Sequence, residues 1–262
     1  MNISLCTLAS GSDGNSMYIT AGQTRLLVDI GISGKRVIEG LLKINVDPQT
    51  IDAIFITHEH MDHIKGVGIF SRKFGTPIYV TEKTLKYILQ KNLIGQLTNI
   101  NLIKIFEPVI INGDIQIKAF QISHDAVDPV GYIFKTQTKK IGVLTDCGLV
   151  DNNVINELDN CDGIVLEFNH EPNILEVGHY PYFLKRRIAS NLGHLSNDAA
   201  AIVLEKLYHK NLKWAILAHI SKENNIPELA YLSAQRILEN KVNSNTRLYV
   251  AQSKKLSPIF IA

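Results

Sequence analysis

The strongest chemical signal in this chain of 262 residues is the pattern H-x-H-x-D-H at residues 58–63, directly after a short apolar segment typical of a β-strand. Alternate side chains of an extended segment point the same way, so His58 and His60 can reach one metal ion together. If the chain then turns into a helix, Asp62 and His63 point to another side and can serve a second ion. Neutral imidazole and carboxylate ligands suit Zn²⁺, Mn²⁺ or Fe. The pattern therefore predicts a metal site rather than a polar turn.

Other predicted strands also end in a residue that can bind or orient a metal ion, and these residues are Asp29, His124, Asp146 and His219. Loops converge where strands end, and the active sites of α/β folds gather there. A single histidine at a strand end is more often a hydrogen-bonded surface residue. Together with residues 58–63, however, these positions supply the ligands of a two-metal site. For Asp29 the more attractive role is to hold a ligating histidine in place.

The elements that must position these residues alternate along the chain. The apolar patterns predict strands at 3–9, 17–20, 23–29, 53–56, 78–80, 131–136, 140–144, 163–166, 213–217 and 246–251, with short β segments between 102 and 122. They predict helices at 33–44, 63–74, 150–158, 182–188 and 227–240, a helix that Thr81 caps, and a helix from Ser196 or Asn197 to Leu207. Since no linker or low-complexity segment interrupts this order, we expect a single domain over residues 1–262 without a separate inserted domain.

The composition describes an ordinary globular protein, with 45% hydrophobic and 20% charged residues. A net charge of +2 provides no overall field for binding nucleic acid or membranes, so a polyanion would need a local patch and the metals themselves. The three cysteines form no C-x-x-C pair, which suits a reducing compartment. The amino-terminal residues do not form a signal peptide, and no apolar run is long enough to span a membrane. We therefore expect a cytoplasmic protein.

In chain order, Asp29, the H-x-H-x-D-H pattern, His124, Asp146 and His219 follow the five motifs of the metallo-β-lactamase fold superfamily, which the chain resembles over essentially its whole length. The resemblance implies an α/β (α+β) fold, a four-layer αββα sandwich with two sheets face to face, helices outside and the site at one edge. It implies that His58, His60 and His124 bind one ion, that Asp62, His63 and His219 bind another, that Asp146 bridges the two, and that Asp29 supports the ligands from behind.

Four shorter segments look like those of the YycJ/WalJ group, which are bacterial metal-dependent 5′→3′ DNA exonucleases: S-G-S-x-G-N at 10–15, E-x-N-H at 167–170, L-K-R-R-I at 184–188 and G-H-L-S-N at 193–197. Glu167 and His194 are also similar to the Glu–His pair that assists the leaving group in the tRNA 3′-processing endonuclease. The chain lacks that enzyme's long tRNA-binding arm and the large inserted domain of the β-CASP nucleases. Asp146, instead of Cys, at the bridging position is similar to the phosphodiesterase and nuclease branches.

These similarities imply roles beyond metal binding. Asp62 would orient the attacking hydroxide or accept its proton, and His194, oriented by Glu167, would protonate the leaving 3′-oxygen. A histidine that only caps a helix is the alternative for His194. Asn169 and His170 would support the ligands, although His170 could equally be a surface residue. The expected contacts to DNA phosphates are Ser10, Ser12, Asn15, Lys185, Arg186 and Arg187. A simple turn and a solvated basic helix are the alternatives for these two groups.

The function that the resemblance implies is that of a binuclear metal-dependent phosphodiester hydrolase, a 5′→3′ DNA exonuclease with two Zn²⁺ or Mn²⁺ ions, or Fe, and a metal-bridging hydroxide as nucleophile. One alternative is a phosphodiesterase for a small or cyclic phosphate ester, which a narrow, uncharged cleft would favour over an open groove lined by residues 185–187. Another is a regulatory or binding protein that retains metal for folding. Redox use is discounted, because Glu59 lies between the two histidines rather than after them.

Overall fold

Two seven-stranded β-sheets pack face to face in the computed structural model, which describes residues 1–241 and 244–262. The first sheet contains β1 (Ile3–Ala9), β2 (Ser16–Ala21), β3 (Thr24–Val28), β4 (Ala53–Phe55), β5 (Ile78–Thr81), β6 (Ile100–Ile103) and β14 (Phe260–Ile261). Its strand order is β14-β1-β2-β3-β4-β5-β6. The strands from β14 to β3 pair antiparallel, and those from β3 to β6 pair parallel.

The strands of the second sheet lie, in chain order, between β6 and β14 of the first sheet. It contains β7 (Pro108–Ile111), β8 (Ile115–Gln121), β9 (Val130–Lys135), β10 (Lys140–Leu144), β11 (Gly163–Glu167), β12 (Trp214–Ala218) and β13 (Arg247–Val250). These strands follow the chain order from one edge to the other. The strands from β7 to β10 pair antiparallel, and those from β10 to β13 pair parallel.

Helices cover the outer faces of both sheets. They are α1 (Gly34–Lys43), α2 (Met61–Ile64), α3 (Val67–Phe74), α4 (Glu82–Gln90), α5 (Asn152–Leu158), α6 (Pro172–Val177), α7 (Tyr182–Ile188), α8 (Asn197–Leu207) and α9 (Pro227–Glu239). Apolar side chains of α1 to α4 pack on the first sheet, and those of α5, α8 and α9 pack on the second. No helix among the described residues combines the length and hydrophobicity needed to cross a bilayer.

The main core lies between the sheets, and the alternation of strand side chains builds it. In β3, Leu26 and Val28 face the other sheet, while Leu27 faces the helices. Across the interface, the rings of Phe55 and Tyr132 pack edge to face with centroids 5.6 Å apart, and the Tyr132 hydroxyl donates to Ile56 O at 2.6 Å. Both faces of each sheet are buried, so the predicted four-layer αββα sandwich is confirmed.

Local differences from the predicted elements have backbone causes. The single helix predicted at 63–74 is two helices, α2 and α3, because Gly66 N donates to Ile30 O at 2.7 Å and a Cβ at Gly66 would lie 2.3 Å from Ile32 O. This close approach of two backbone segments interrupts the helix. The patterns also missed α6 and β14, and β14 is too short, at two residues, to show an alternation.

Candidate metal centre and active site

The predicted site residues meet at one edge of the sandwich, where strands from both sheets end. Parallel pairing of β3 with β4, of β10 with β11 and of β11 with β12 brings the carboxyl ends of these strands to the same edge. The side chains that follow or close the strands are Asp29 after β3, His58 after β4, His124 after β8, Asp146 after β10, Glu167 at the end of β11 and His219 after β12. The clustering expected from strand ends is therefore what the fold produces.

Three of these residues adopt a left-handed backbone conformation directly after their strands. The φ angles are 56° at Asp29, 57° at Asp146 and 54° at His219. Non-glycine residues occupy this region rarely, Asp and His more often than most, and such outliers cluster at functional sites. The conformation turns the chain sharply at the strand end, so that the side chain points into the site and the following loop leaves it.

The first ligand cluster consists of His58, His60 and His124, whose donor nitrogens all lie within 4.8 Å of one another. His124 Nε2 is 3.3 Å from His60 Nδ1. Burial lowers the pKa of both His58 and His124, so these rings are neutral and can present a lone pair. Three convergent imidazoles, with His58 and His124 held neutral by burial, are the donor set expected of a metal site rather than of a hydrogen-bond network.

The second cluster joins Asp62, His63, Asp146 and His219, again with donor atoms within 4.8 Å of one another. His63 Nε2 is 3.5 Å from Asp62 Oδ2 and 3.2 Å from Asp146 Oδ2. His219 Nε2 is 3.5 Å from Asp62 Oδ2 and 3.3 Å from Asp146 Oδ1. The Asp146 Oδ1 atom also lies 4.0 Å from His124 Nε2 of the first cluster, so this carboxylate sits between the two groups.

The donor atoms fit divalent metal binding. Within the described residues, the buried atoms His58 Nε2 and Asp146 Oδ2 have no hydrogen-bond partner. Leaving buried polar atoms unpaired is costly, particularly when one of them belongs to a carboxylate. A cation bound between the imidazole nitrogens and carboxylate oxygens would satisfy both atoms. Histidine and carboxylate donors suit Zn²⁺, Mn²⁺ or Fe, and this environment supports divalent metal use by the protein.

Asp29 holds the metal-facing histidines from behind. Its Oδ2 lies 2.8 Å from His63 Nδ1 and accepts from Thr57 Oγ1 at 2.8 Å, while its Oδ1 accepts from Thr57 N at 2.9 Å. The Thr57 hydroxyl is in turn 3.0 Å from His58 Nδ1. An Nδ1–H that donates to a carboxylate fixes the tautomer with the Nε2 lone pair directed at the metal position. The role of Thr57 in orienting His58 was not predicted from the sequence, although this residue directly precedes the first histidine of the pattern.

Glu167 is buried beneath the site, where its carboxylate interacts with two histidines and with backbone N–H groups. Its Oε1 lies 2.9 Å from His194 Nδ1 and 3.0 Å from His219 Nδ1, and its Oε2 accepts from Leu195 N and Cys147 N, each at 3.0 Å. Burial alone would raise the pKa of this carboxyl, but the His194 charge and hydrogen bond hold it below its usual range. Burial would lower the pKa of His194, and the Glu167 carboxylate outweighs this and raises it. The predicted Glu167–His194 pair therefore forms in the structure.

Asn169 and His170, predicted to support the ligands, occupy different positions. Asn169 Nδ2 donates to His219 O at 2.9 Å, so this residue fixes the left-handed backbone at His219. His170 is 3% exposed and lies outside the three groups of convergent metal donors found in the described chain. Burial lowers the pKa of His170 to about 4, and the ring is neutral at physiological pH. The surface alternative for His170 is therefore wrong, because the side chain is buried, and its supporting role stays a prediction.

The glycine-rich loop at 10–15 supports the site from within the protein. Ser10 is 1% exposed and its Oγ accepts from His219 N at 2.8 Å. Asn15 is fully buried, and its Nδ2 lies 3.0 Å from His63 Nε2 while its Oδ1 accepts from Gly11 N at 2.9 Å. The placement of Ser10 does not fit the predicted contact with substrate phosphate, because its hydroxyl faces the protein. The contact of Asn15 with phosphate stays a prediction, since its Nδ2 lies against a nitrogen that the metal would engage. Ser12 is exposed at the tip of the loop.

The three basic residues of α7 differ in their surroundings. Lys185 Nζ donates to Glu176 O at 2.7 Å, and Arg187 Nε forms an ion pair with the Asp125 carboxylate. Arg186 has no carboxylate partner in the part of the chain that the structure describes, and its guanidinium lies 5.9 Å from the centre of the Tyr182 ring. Of the predicted phosphate contacts on this helix, Arg186 is therefore the one whose charge is least engaged by the protein.

Comparison with known proteins agrees with this fold and site. The model of the β-lactamase superfamily domain matches residues 24–220, which include the H-x-H-x-D-H pattern and every predicted metal ligand, so the chain belongs to this superfamily. The crystal structure of the metallo-β-lactamase fold protein YhfI from Bacillus subtilis superposes with a TM-score of 0.76 at 15% identity, covering 100% of both chains. The predicted resemblance to the superfamily is thereby confirmed.

Within the superfamily, the chain is similar to two curated bacterial proteins. It is 43% identical over 228 residues to the exodeoxyribonuclease WalJ of Streptococcus pneumoniae, an alignment that covers 86% of this chain and 84% of that protein. It is 38% identical over 243 residues to the exodeoxyribonuclease YycJ of Bacillus anthracis, covering 92% of this chain and 91% of that protein. Both alignments cover most of this chain and most of the relative, and the chain falls in the same family as both proteins.

Proposed function

We propose that this chain is a metal-dependent nuclease that removes nucleotides from the 5′ end of DNA. The observation that carries the proposal is the position of the Glu167–His194 pair against the metal-ligand clusters, where His194 Nδ1 lies 3.9 Å from Asp146 Oδ1. A hydrolase of phosphodiesters needs a group that protonates the leaving oxygen beside the centre that activates water. The names of the two relatives, which share 43% and 38% of their residues with this chain over most of its length, support DNA as the substrate.

In this proposal two divalent ions bind at the strand ends. His58, His60 and His124 would hold one ion, Asp62, His63 and His219 would hold the other, and Asp146 would contribute to both. Zn²⁺ and Mn²⁺ suit this mixture of nitrogen and oxygen donors. When bound, the ions lower the pKa of the attacking water and neutralise the charge of the phosphodiester.

Two side chains of the protein transfer protons, one as acceptor and one as donor. Asp62 is the most exposed member of its cluster, with 27% of its side chain accessible, and its carboxylate can orient the attacking water and accept its proton. Glu167 engages His194 at Nδ1, which leaves Nε2 available to the substrate. As the bond between phosphorus and the 3′-oxygen breaks, His194 donates its Nε2 proton to that oxygen. The products are a nucleotide with a free 3′-hydroxyl and a shortened strand with a new 5′-phosphate.

The surface beside His194 favours a nucleic acid over a small phosphate ester. Helix α7, which precedes the loop that carries His194, exposes Tyr182 at 74% and the charged Arg186. Basic groups supply sequence-independent affinity for phosphates, and exposed aromatic rings supply stacking surfaces for bases. An open face of this composition differs from the narrow, uncharged cleft that a phosphodiesterase for a small ester would use.

The proposal is tested with duplex DNA labelled at the 5′ end and incubated with Mn²⁺, with bis-p-nitrophenyl phosphate assayed in parallel. We expect labelled mononucleotide to appear first and two ions per chain by mass spectrometry. His60→Ala should lower the rate on the order of 10³-fold, because the loss of metal removes several kcal/mol of transition-state stabilisation. His209→Ala serves as the matched control. The His209 ring is hydrogen-bonded to Cys161 O and belongs to none of the metal-ligand clusters found in the described residues.

Three outcomes would contradict the proposal. Intact DNA together with metal-dependent turnover of the small ester would indicate a phosphodiesterase for small substrates. Labelled fragments of many lengths at the earliest time would indicate cleavage within the strand instead of from its end. Metal binding with neither activity would leave a binding or regulatory protein as the explanation.

A further inference from the structure

A cavity of about 330 Å³ lies beside the catalytic centre, between the facing sides of α6 and α7. From α7 it is lined by Tyr182, Lys185, Arg186 and Ala189, which are spaced as one face of a helix. From α6 it is lined by Pro172, Leu175 and Glu176, which share one face in the same way. His170 lines the cavity between the two helices. The spacing makes this a groove between two helix faces, with mostly apolar walls.

His170 gives the groove a polar group without a partner. The residue is 3% exposed, and its Nδ1 is buried with no hydrogen-bond partner among residues 1–241 and 244–262. A neutral imidazole carries one donor and one acceptor, and a buried atom of this kind is normally paired. A planar molecule with polar atoms at its edge can bond to the part of the His170 imidazole that lines the groove while its faces contact the apolar walls.

The cavity lies beside the chain segment that carries His194. Asn169 N donates to Leu195 O at 3.0 Å, and His170 pairs with Ser196 in a parallel bridge, so residues 169–170 run beside 195–196. His170 therefore lies next to the segment that carries His194. Under the proposed function, His194 faces the leaving 3′-oxygen, and in cleavage from the 5′ end this oxygen belongs to the terminal nucleotide.

The charges at the rim complement a nucleotide. Lys185 Nζ donates to Glu176 O at 2.7 Å and joins the two helices, which sets the width of the groove. The Arg186 guanidinium has no carboxylate partner in the described part of the chain and lies 5.9 Å from the centre of the Tyr182 ring. A cation at this distance from a ring face is favourable and leaves the guanidinium free to bind a phosphate. The Glu176 carboxylate, which also lines the cavity, can accept a hydrogen bond from an amino group.

We propose that the α6–α7 groove binds the base of the 5′-terminal nucleotide, with the base stacked on Tyr182, its edge bonded to His170 and its 5′-phosphate beside Arg186. The proposal rests on the proposed nuclease function and adds to it a subsite for the departing nucleotide. A pocket of this size accommodates one base, so the strand is threaded one nucleotide at a time. Removal of single nucleotides follows from that geometry.

The test compares three variants on two substrates. Tyr182→Ala removes the stacking surface, and Phe183→Ala is the matched control, since Phe183 is equally exposed but does not line the groove. One substrate carries a normal 5′-terminal nucleotide, and the other an abasic one. We expect Tyr182→Ala to lower kcat/KM about tenfold or more on the normal substrate and to change nothing on the abasic one, because stacking needs the base. Phe183→Ala should leave both rates unchanged, and Tyr182→Phe should retain the wild-type rate.

A binding measurement separates this proposal from the nuclease proposal. An oligonucleotide with 2-aminopurine at its 5′ end and a phosphorothioate at the first linkage reports stacking as fluorescence quenching. Quenching that Tyr182→Ala abolishes and Phe183→Ala preserves supports the pocket, even if the wild type degrades no DNA and the nuclease proposal fails. An equal loss of rate on both substrates, or quenching that does not depend on Tyr182, overturns the pocket while leaving the nuclease function intact.

Discussion

Asp29 combines a strained backbone with a precise hydrogen-bonding role. Its left-handed φ of 56° costs on the order of 1–3 kcal/mol for most side chains, and Asp and Asn tolerate it best. Its carboxylate accepts from Thr57 N and Thr57 Oγ1 and lies 2.8 Å from His63 Nδ1. The residue type is therefore constrained twice, by the backbone and by the tautomer that it imposes on His63.

Asp29→Asn tests the second constraint without disturbing the first. The amide can adopt the same backbone, but its NH₂ group would donate to His63 Nδ1 and move the histidine proton to Nε2, the atom that faces the metal position. We expect metal affinity to fall by about 10- to 100-fold, the usual effect of losing a carboxylate behind a histidine ligand. Competition with a chelator of known affinity measures this change directly.

Asp52→Asn is the matched control for that variant. Asp52 Oδ2 accepts from Arg25 N at 2.8 Å, so its carboxylate also receives a backbone hydrogen bond, but it contacts none of the metal-ligand clusters among the described residues. Its metal affinity should equal that of the wild type. If Asp29→Asn bound metal as tightly as Asp52→Asn, Asp29 would not control the His63 tautomer.

At the scale of elements, the site depends on the close contact of helix α2 with two loops, the glycine-rich loop before β2 and the loop after β3. Asn15 N donates to Asp62 O at 2.8 Å, Ile30 N donates to His63 O at 2.8 Å, and a Cβ added at Gly31 would lie 1.6 Å from Asp62 O. Only glycine allows this approach. The loops thereby set the position of α2 and, through it, the two ligands Asp62 and His63.

Gly31→Ala should separate the loop from α2 and weaken both folding and metal binding. We expect the free energy of unfolding to fall by at least about 1–3 kcal/mol, the usual cost of forcing atoms into a packed region. Gly40→Ala in α1 is the control, since its Cβ would meet Leu256 Cδ2 at an ordinary 3.4 Å and alanine favours the helix. Urea denaturation and metal content measure both effects, and equal behaviour of the two variants would refute the role of Gly31.

The sequence could predict the elements whose apolar pattern is long and the ligands that follow them. Strand β1 and helix α7 have the predicted bounds, and Ser196 caps α8 through its Oγ as the sequence indicated. The roles of Ser10 and Asn15 could not be predicted, because a glycine-rich loop has the same local sequence whether its polar groups face substrate or protein. The α6–α7 groove could not be predicted either, since it depends on how two helices distant from their own sheet face one another.

At the scale of the whole molecule, the site needs both sheets. The first sheet supplies Asp29 and the residues of the H-x-H-x-D-H pattern, and the second supplies His124, Asp146 and His219. The sheets share one apolar core, and Val130 N of the second sheet donates to Thr57 O of the first at 3.1 Å. We therefore expect the chain to unfold as a single cooperative domain, because opening either sheet exposes the core of the other.

Two buried thiols allow this expectation to be measured. Cys6 lies between the first sheet and its helices, and Cys161 lies between the second sheet and its helices. Alkylation in increasing urea at pH 7.5, followed by peptide mass spectrometry, gives a separate unfolding midpoint for each. The two midpoints should coincide in the metal-bound protein. A lower midpoint for one cysteine would divide the molecule into two units of different stability.

The burial of the Cys161 thiol determines how this group changes the stability of the protein with pH. Burial raises the pKa of Cys161 to about 12, while an unfolded thiol titrates near 8.5. Below about pH 8.5 both states keep the proton and stability does not depend on this group. Above it only the unfolded chain loses the proton, so stability falls as the pH rises toward 12. Between pH 9 and 11, Cys161→Ala should therefore lose stability less steeply than the wild type, by up to about 1.4 kcal/mol per pH unit. Parallel slopes in urea denaturation would show that Cys161 ionises in the folded state, and that the core beneath the second sheet is open to solvent.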